Sequence, residues 1–412
     1  MQTVKSPLPF HYSWVIVATG MLCIFACLGL GRFALGMLLP SMAASLNLTY
    51  SQMGFISTAN FIGYLIAVLA SGTWALRIGP RLLIAAALVI VGSSMMLVSR
   101  ATDFIGALAL YFATGIGSGA TNVPVMALVS HWFASHVRGR AAGFIVIGSG
   151  FAIMLTGMLV PYINGELGSE GWRMSWRILG AIVLAVALIG WKLIRGNPSE
   201  KGLARFGDEG TPAANPRMPV PPSAASVYRE GILYHLGAIY FLFGFTYVIY
   251  VTFIVTVLVN ERGFSEGAAG LFWAWIGFLS VFSGPVFGTL SDRIGRKAGL
   301  ILVFAMQAAA YLLVATNLPG IFLYLSIGLF GVVAWSIPSI MAAAVADYMG
   351  SQRAGQAFGF VTFIFGFGQI SGPAAAGLLA ETTGSFSHSF ALAAALAGVA
   401  MVLSSFMRKP RR

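Results

Sequence analysis

The sequence predicts an all-α membrane protein whose twelve transmembrane helices form two six-helix repeats. Of its 412 residues, 58% are hydrophobic and only 9% are charged, whereas soluble proteins carry about 25% charged residues. Mean hydropathy is +0.86. This small number of charged groups cannot cover a surface that faces water. The surface therefore faces lipid. Soluble enzymes, disordered chains and nucleic-acid-binding domains are therefore excluded, despite a formal net charge of +12.

Long apolar runs supply the individual spans. Each span needs about 20 apolar residues. The short alternating segments typical of a transmembrane β-barrel do not occur in the sequence. The twelve predicted spans are 13–43, 52–76, 79–99, 103–130, 139–164, 175–196, 231–259, 266–291, 297–316, 319–347, 354–381 and 385–407.

One connection between spans is long. Residues 197–230 are polar and rich in proline, which is typical of a flexible linker. We therefore divide the chain into an N-terminal six-helix bundle at 1–196, a cytoplasmic linker at 197–230, and a C-terminal six-helix bundle at 231–412.

The distribution of positive charge predicts the orientation. With both termini in the cytoplasm, the cytoplasmic segments hold 19 of the 24 Lys and Arg residues, as the positive-inside rule requires. The outer segments hold only Arg100, Arg173, Arg177 and Arg262, and Arg32 lies inside a span. Basic loops lying against an anionic leaflet explain the net charge. We expect a multi-pass protein of the bacterial inner membrane, with the lipid bilayer and no nucleic acid as partner.

An internal repeat relates the two halves at an offset of ~215 residues. Parallel repeats of this kind place a substrate site at the midplane of the membrane, in a central cavity between the two bundles. The landmarks that coincide are Gly79 to Arg81 with Gly295 to Lys297, Asn122-Val123-Pro124 with Ser336-Ile337-Pro338, and Gly143-Phe144 with Gly359-Phe360.

The loop after the eighth span resembles the signature of the major facilitator superfamily, Gly-x-x-x-Asp-Arg-x-Gly-Arg-Lys. The resemblance, together with twelve spans and a central linker, covers essentially the whole chain and implies the major facilitator fold. It does not indicate a substrate. The matching residues are Gly288, Asp292, Arg293, Gly295, Arg296 and Lys297.

The first-half copy of this loop departs from the signature, because Leu76 stands where the family has an aspartate. In the superfamily the loop is thought to latch a cytoplasmic gate by charge pairing, so the resemblance implies a latch around Asp292 and Arg296. The alternative is that these charges only cap helices and anchor loops. The candidate gate residues are Arg77, Arg81, Asp292, Arg293, Arg296, Asp347 and Arg353.

Two further stretches resemble particular branches of the superfamily. His131 to Gly143 is similar to the monocarboxylate and oxalate/formate carriers, and Gly29 to Pro40 resembles a bacterial branch with an arginine in its first helix. Monocarboxylate carriers generally place an arginine in span 8, and this chain has none within 266–291. An arginine that recognises the substrate must therefore be Arg32.

Arg32 lies deep in the first span, where burying a charge costs about 2.5–3.5 kcal/mol on insertion scales. The sequence places no acidic residue in the middle of any span. A bound anion would supply the missing counter-ion, since a guanidinium offers a carboxylate or sulfonate a planar, bidentate donor fork. The alternative is a structural arginine that bonds to carbonyls of a neighbouring helix.

Polar and aromatic residues at matching depth complete the candidate substrate site. Amide side chains in hydrocarbon seek a cavity or a partner helix, whereas an aromatic residue in a span is as often a packing residue as a ligand contact. The candidate substrate-binding residues are Arg32, Asn60, Tyr64, Asn122, Tyr247, Trp273, Trp275, Trp335, Ser336 and Gln369.

We predict a secondary active transporter of a small, monocarboxylate-like organic anion that works by alternating access as a proton symporter for import. The alternative is an exporter of neutral metabolites or drugs. Cation export is disfavoured because the spans lack an embedded carboxylate. A receptor or scaffold whose helices never cycle is a third interpretation, which the intact gate signature argues against.

The remaining expectations concern partners and chemistry. The sequence has no acidic ring, metal-ligand cluster or nucleophile–base pair, so we expect no enzyme activity, no metal site and no cofactor. Without a buried acid, a proton would travel on the substrate carboxylate, on a histidine, or not at all. We expect a monomer.

Overall fold

The computed structural model of the protein describes residues 10–134, 136–208, 228–350 and 353–407. Within these ranges the chain is helical almost throughout, and short turns connect most of the helices. The long helices are α1 Ser13–Leu46, α2 Tyr50–Ile78, α3 Pro80–Val98, α4 Phe104–Trp132, α5 Arg138–Leu167, α6 Gly171–Leu193, α7 Gly231–Glu261, α8 Glu266–Ile294, α9 Arg296–Ala315, α10 Ile321–Met349, α11 Ala354–Thr383 and α12 Ser387–Ser405.

These helices have the length and composition of membrane spans. Among the described residues, eleven helical runs are long and apolar enough to cross a membrane. One run, Arg138–Leu193, is 56 residues long and contains both α5 and α6, which the 3₁₀ turn Gly168–Glu170 separates. The twelve predicted spans are thereby confirmed as twelve helices in an all-α membrane fold, with ends that differ by a few residues.

The predicted linker is described only in part. Pro198–Lys201 forms a 3₁₀ turn in which Asn197 and Glu200 make a reciprocal capping box, and this arrangement satisfies backbone donors that the turn leaves open. Residues 209–227 of the predicted linker lie outside the described residues.

The chain divides into two compact units. The first comprises Met1–Leu46 and Ala59–Asn215, and the second comprises Asn47–Thr58 and Pro216–Arg412. The start of α2 is therefore grouped with the second unit, in which the Thr58 hydroxyl donates a hydrogen bond of 2.9 Å to the Ile370 carbonyl.

Two glycines end the helices that precede the repeated loops. Gly79 follows α2 with φ +82° and ψ 149°, and Gly295 follows α8 with φ +92° and ψ 149°. Only glycine adopts this part of φ/ψ space without strain. Gly79 and Gly295, which the sequence repeat aligns, therefore have the same backbone conformation.

Within the first unit, the middle of α1 packs tightly against α5. Residues Phe25–Phe33 of α1 form a π-helical stretch, a rare feature that is frequent at functional sites. A Cβ atom on Gly29 would lie 2.1 Å from the Cβ of Ala152. Only a glycine at this position permits the observed distance between the two helices.

We predict that Gly29→Ala destabilises the protein and that Ala152→Gly in the same chain restores its stability. Overpacking costs about 1–3 kcal/mol, and in the double variant the nearest backbone atoms are 3.5 Å or more from the new Cβ. Thermal unfolding in detergent measures the effect. Gly143→Ala is the control, because nothing lies within 4 Å of its added Cβ. An unchanged melting temperature in Gly29→Ala would contradict the packing of α1 on α5.

Candidate functional site

Arg32 lies on the π-helical stretch of α1 and is only 8% exposed. Hydroxyl groups of α4 hydrogen-bond to this stretch. The Tyr111 hydroxyl donates to the Arg32 carbonyl at 2.7 Å, and the Ser118 hydroxyl donates to the Cys27 carbonyl at 2.7 Å. These two bonds fix the backbone that carries the arginine.

The guanidinium of Arg32 packs on two aromatic rings of α2. Its Cζ atom is 4.0 Å from the ring centroid of Tyr64 and 4.5 Å from that of Phe61. The two rings share one helix face because they are three residues apart. Each desolvated cation–π contact contributes up to about 2 kcal/mol, so the rings offset much of the cost of placing this charge in a membrane.

One edge of the same guanidinium has no partner. The Nε and Nη2 atoms are buried and donate no hydrogen bond to any of the described residues, and no described acidic group forms an ion pair with Arg32. These two N–H groups point in the same direction and form the side-on fork that fits a carboxylate. A buried donor without a partner costs about 1–3 kcal/mol, so this edge is favourable only when an acceptor binds to it.

Two amide residues lie beside the aromatic rings in the first unit. The Asn122 Nδ2 group donates to the Tyr64 hydroxyl oxygen at 2.7 Å. The Asn60 Nδ2 group donates to the Tyr111 carbonyl at 3.1 Å, which ties α2 to α4. The structure thus brings four sequence-predicted residues together in the first unit, namely Arg32, Asn60, Tyr64 and Asn122.

Sequence reasoning missed two residues of this cluster. The sequence does not identify Phe61 as a site residue, because an apolar residue in a span looks like any other packing residue. Tyr111 carries a weak signal, since a tyrosine in the middle of a span needs a partner for its hydroxyl. Its partner, a backbone carbonyl of α1, depends on helix packing and is not visible in the sequence.

In the second unit, Tyr247 and Gln369 form a separate polar contact. The Gln369 Nε2 group donates to the Tyr247 hydroxyl oxygen at 2.5 Å, and both side chains are buried. The Tyr247 ring stacks on Phe243 at 4.8 Å and meets the edge of Trp335 at 5.8 Å between centroids. Tyr247 occupies the α7 position that the repeat aligns with Arg32, so a neutral aromatic cluster replaces the charge in this half.

The other candidates of the second unit have varied surroundings. Ser336 is fully buried and its hydroxyl donates to the Ser283 carbonyl at 3.1 Å, which joins α10 to α8 where α10 is interrupted. Trp273 is fully buried. Trp275 is half exposed and lies edge-on to Phe278, with centroids 5.6 Å apart.

A charged cluster occupies the loop after α8 in the second unit, where the predicted gate residues lie. Arg296 pairs with Asp292 across one helix turn and with Asp347 at 2.9 Å, and it also donates to the Ser291 hydroxyl at 2.8 Å. Arg296 therefore joins α8, α9 and α10. Arg353 pairs with Glu230 at 3.8 Å instead. Arg293 is exposed and forms no described ion pair.

The matching loop of the first unit lacks such a cluster among the described residues. Leu76, at the aspartate position of the signature, is 90% exposed, and Arg77 is also exposed. Arg81 donates through Nε to the Trp191 carbonyl at 2.5 Å and lies 5.5 Å above the Trp191 ring. Without a carboxylate, Arg81 anchors α3 to α6.

For the gate we predict that Asp292→Asn shifts the carrier toward the inward-open state, and that Asp292→Asn with Asp347→Asn shifts it further. The single variant leaves Arg296 its second carboxylate, whereas the double variant removes both. Each exposed pair contributes only about 0–1 kcal/mol, so folding should survive. Labelling of single cysteines at the cytoplasmic helix ends measures the balance, with Asp208→Asn as control. Equal labelling in all variants would refute the latch.

Comparison with known proteins identifies the family of this chain. A model of the family described as "Uncharacterised MFS-type transporter YbfB" matches residues 24–405. The chain belongs to this family of the major facilitator superfamily. It is a multi-pass membrane transporter with the major facilitator fold, as the gate signature predicts.

Several curated relatives match along most of their length. The hexuronate transporter of Bacillus subtilis is 25% identical over 89% of this chain and 88% of its own length. The probable sulfoacetate transporter SauU of Cupriavidus necator is 24% identical over 94% of this chain and 92% of its own length. Human monocarboxylate transporter 2 is 21% identical over 98% of this chain and 88% of its own length. These relatives confirm the predicted resemblance to the monocarboxylate branch.

A solved structure supports the fold. The bacterial homologue of the human lysosomal transporter Spinster, in an inward-facing and unoccupied conformation, superposes with a TM-score of 0.79. The two chains are 15% identical, and the match covers 97% of each. At this identity the similarity concerns the fold alone.

Proposed function

We propose that this transporter carries a small organic anion and that Arg32 binds the anionic group. The observation that carries the proposal is the buried, unpartnered Nε–Nη2 edge of Arg32. A carboxylate supplies two acceptor oxygens in one plane, and a sulfonate supplies three, so either anion satisfies both donors at once.

The surroundings of Arg32 favour this role over a purely structural one. A structural arginine in a span would direct its N–H groups at carbonyls of neighbouring helices, yet Nε and Nη2 donate no such bond among the described residues. The rings of Phe61 and Tyr64 stabilise the charge through the faces of the guanidinium. They leave its edge to a ligand.

The names of the relatives support an anionic substrate. They transport hexuronate, sulfoacetate and monocarboxylates, and two further relatives from Chlamydomonas reinhardtii are nitrate transporters. All of these substrates carry a planar or nearly planar anionic group. The neutral-solute exporter remains the second candidate, since Tyr64, Asn122 and the Tyr247–Gln369 contact also suit an uncharged polar molecule.

Proton-coupled import by alternating access completes the proposal. The predicted N-terminal bundle 1–196 and C-terminal bundle 231–412, joined by the cytoplasmic linker, would expose Arg32 to the two faces of a bacterial inner membrane in turn. Since none of the acidic groups that the structure describes neutralises Arg32, a weak acid that carries its own proton, or a proton released at a histidine, would supply the coupling. The transporter would act as a monomer.

We predict that purified protein is stabilised by small carboxylates and that Arg32→Ala abolishes the effect. Arg32→Lys should also weaken binding, by about tenfold or more, because lysine keeps the charge and loses the fork. Thermal-shift titration measures this against carboxylates, sulfonates, sugars and cationic drugs. Arg100→Lys is the matched control, because Arg100 is exposed and lies outside the membrane helices.

Two results would overturn the anion assignment. One is a folded Arg32→Ala variant that binds and transports carboxylates as the wild type does. The other is stabilisation of the wild type by sugars or neutral drugs and by no anion. The second result would favour the neutral-solute exporter.

We further predict that an inward proton gradient accelerates uptake of the best-binding acid into proteoliposomes. Symport makes the proton gradient a driving force, so a protonophore should return uptake to the rate without a gradient. Measurement at fixed membrane potential separates this effect from charge movement. An uptake rate that does not depend on the proton gradient would indicate facilitated diffusion or anion exchange.

A further inference from the structure

We propose that Tyr64, whose ring contacts the Arg32 guanidinium, and its hydrogen-bond partner Asn122 bind a hydroxyl group of the substrate, so that the transported anion is a hydroxycarboxylate. The inference rests on the proposed function, because it takes Arg32 as the carboxylate site. It assigns the substrate a second recognition element and the class of compound that carries both.

The hydrogen-bonding inventory of the pair leads to this inference. The Asn122 Nδ2 group donates to the Tyr64 hydroxyl oxygen, so the Tyr64 hydroxyl proton and the Asn122 Oδ1 atom are not used in that bond. Neither side chain forms another hydrogen bond among the described residues. The pair therefore offers one donor and one acceptor side by side.

A hydroxyl group is the ligand that matches such a pair. Its oxygen accepts from Tyr64 while its proton is donated to Asn122, so both groups are satisfied by one atom of the substrate. The match does not depend on the orientation of the amide. If the Asn122 amide is rotated by 180°, Tyr64 donates to Oδ1, and the pair still keeps a free donor on Asn122 and a free acceptor on Tyr64.

The pair and the fork belong to one cluster. The guanidinium carbon of Arg32 lies 4.0 Å from the centroid of the Tyr64 ring, so the hydroxyl of that ring, one bond beyond the ring edge, belongs to the immediate surroundings of the guanidinium. In the proposed binding mode, a carboxylate on the fork would place its second and third carbons beside this ring. A hydroxyl on either carbon is then within reach of Tyr64 and Asn122.

Burial makes the pair selective. Arg32 is only 8% exposed and Tyr64 and Asn122 are partly buried, so an acid without a hydroxyl displaces water from two polar groups and returns no hydrogen bond to them. An acid with a hydroxyl satisfies both. The structure thus favours hydroxylated acids over their plain counterparts of the same length.

The experiment measures the dissociation constants of matched acid pairs on the full-length protein in detergent. The pairs are 2-hydroxypropanoate with propanoate, and 3-hydroxybutanoate with butanoate. We expect the wild type to bind the hydroxylated member of at least one pair about tenfold more tightly. Two variants should each reduce the ratio of the dissociation constants, plain acid over hydroxylated acid, to about one to three. They are Tyr64→Phe, which keeps the ring on the guanidinium, and Asn122→Leu. The dissociation constant of the plain acid should change little.

The control is Tyr162→Phe, which removes the hydroxyl of an exposed tyrosine on α5 and should keep the tenfold ratio. A ratio near one in the wild type, with binding of both acids still dependent on Arg32, would overturn this inference and leave the proposed function standing. Equal weakening of both acids in Tyr64→Phe would also overturn it, since the pair would then only position Arg32. Failure of every acid to bind the wild type would overturn the proposed function itself.

Discussion

A positive charge held inside a membrane helix without a carboxylate is the constraint on which the first unit depends. The rings of Phe61 and Tyr64 cover the faces of the Arg32 guanidinium, and Tyr111 fixes the backbone beneath it. The π-helical stretch of α1 and the close approach of Gly29 to α5 bring the side chain to this position. The Nε–Nη2 edge has no hydrogen-bond partner among the described residues.

The two repeats share a backbone plan and differ in where they place charge. The first unit has its buried charge within a membrane-spanning helix, at Arg32, and Leu76 stands at the aspartate position of its signature loop. The second unit has a neutral Tyr247–Gln369 contact at the matching depth. Its charge lies in the Arg296 cluster of the gate loop. The proposed substrate-binding charge and the proposed gate charges thus lie in different repeats.

Much of this organisation is legible in the sequence, because lipid imposes simple rules. Apolar runs predicted all twelve helices, and the repeat aligned Gly79 with Gly295, which have the same backbone conformation. The Arg32 position followed from the cost of a buried charge. Its supporting contacts did not, because a π-helical stretch, a ring stack on Phe61 and a bond from Tyr111 to a carbonyl depend on how helices pack. Amide and serine residues were also ambiguous, since Ser336 serves helix packing while Asn122 holds a ring hydroxyl.

The most direct test of the central role of Arg32 is a structure of the transporter with its best-binding carboxylate. The account predicts that the two carboxylate oxygens lie about 2.7–2.9 Å from Nε and Nη2 of Arg32, with the guanidinium still stacked on Tyr64. A ligand bound elsewhere while backbone carbonyls occupy the Arg32 fork would contradict it.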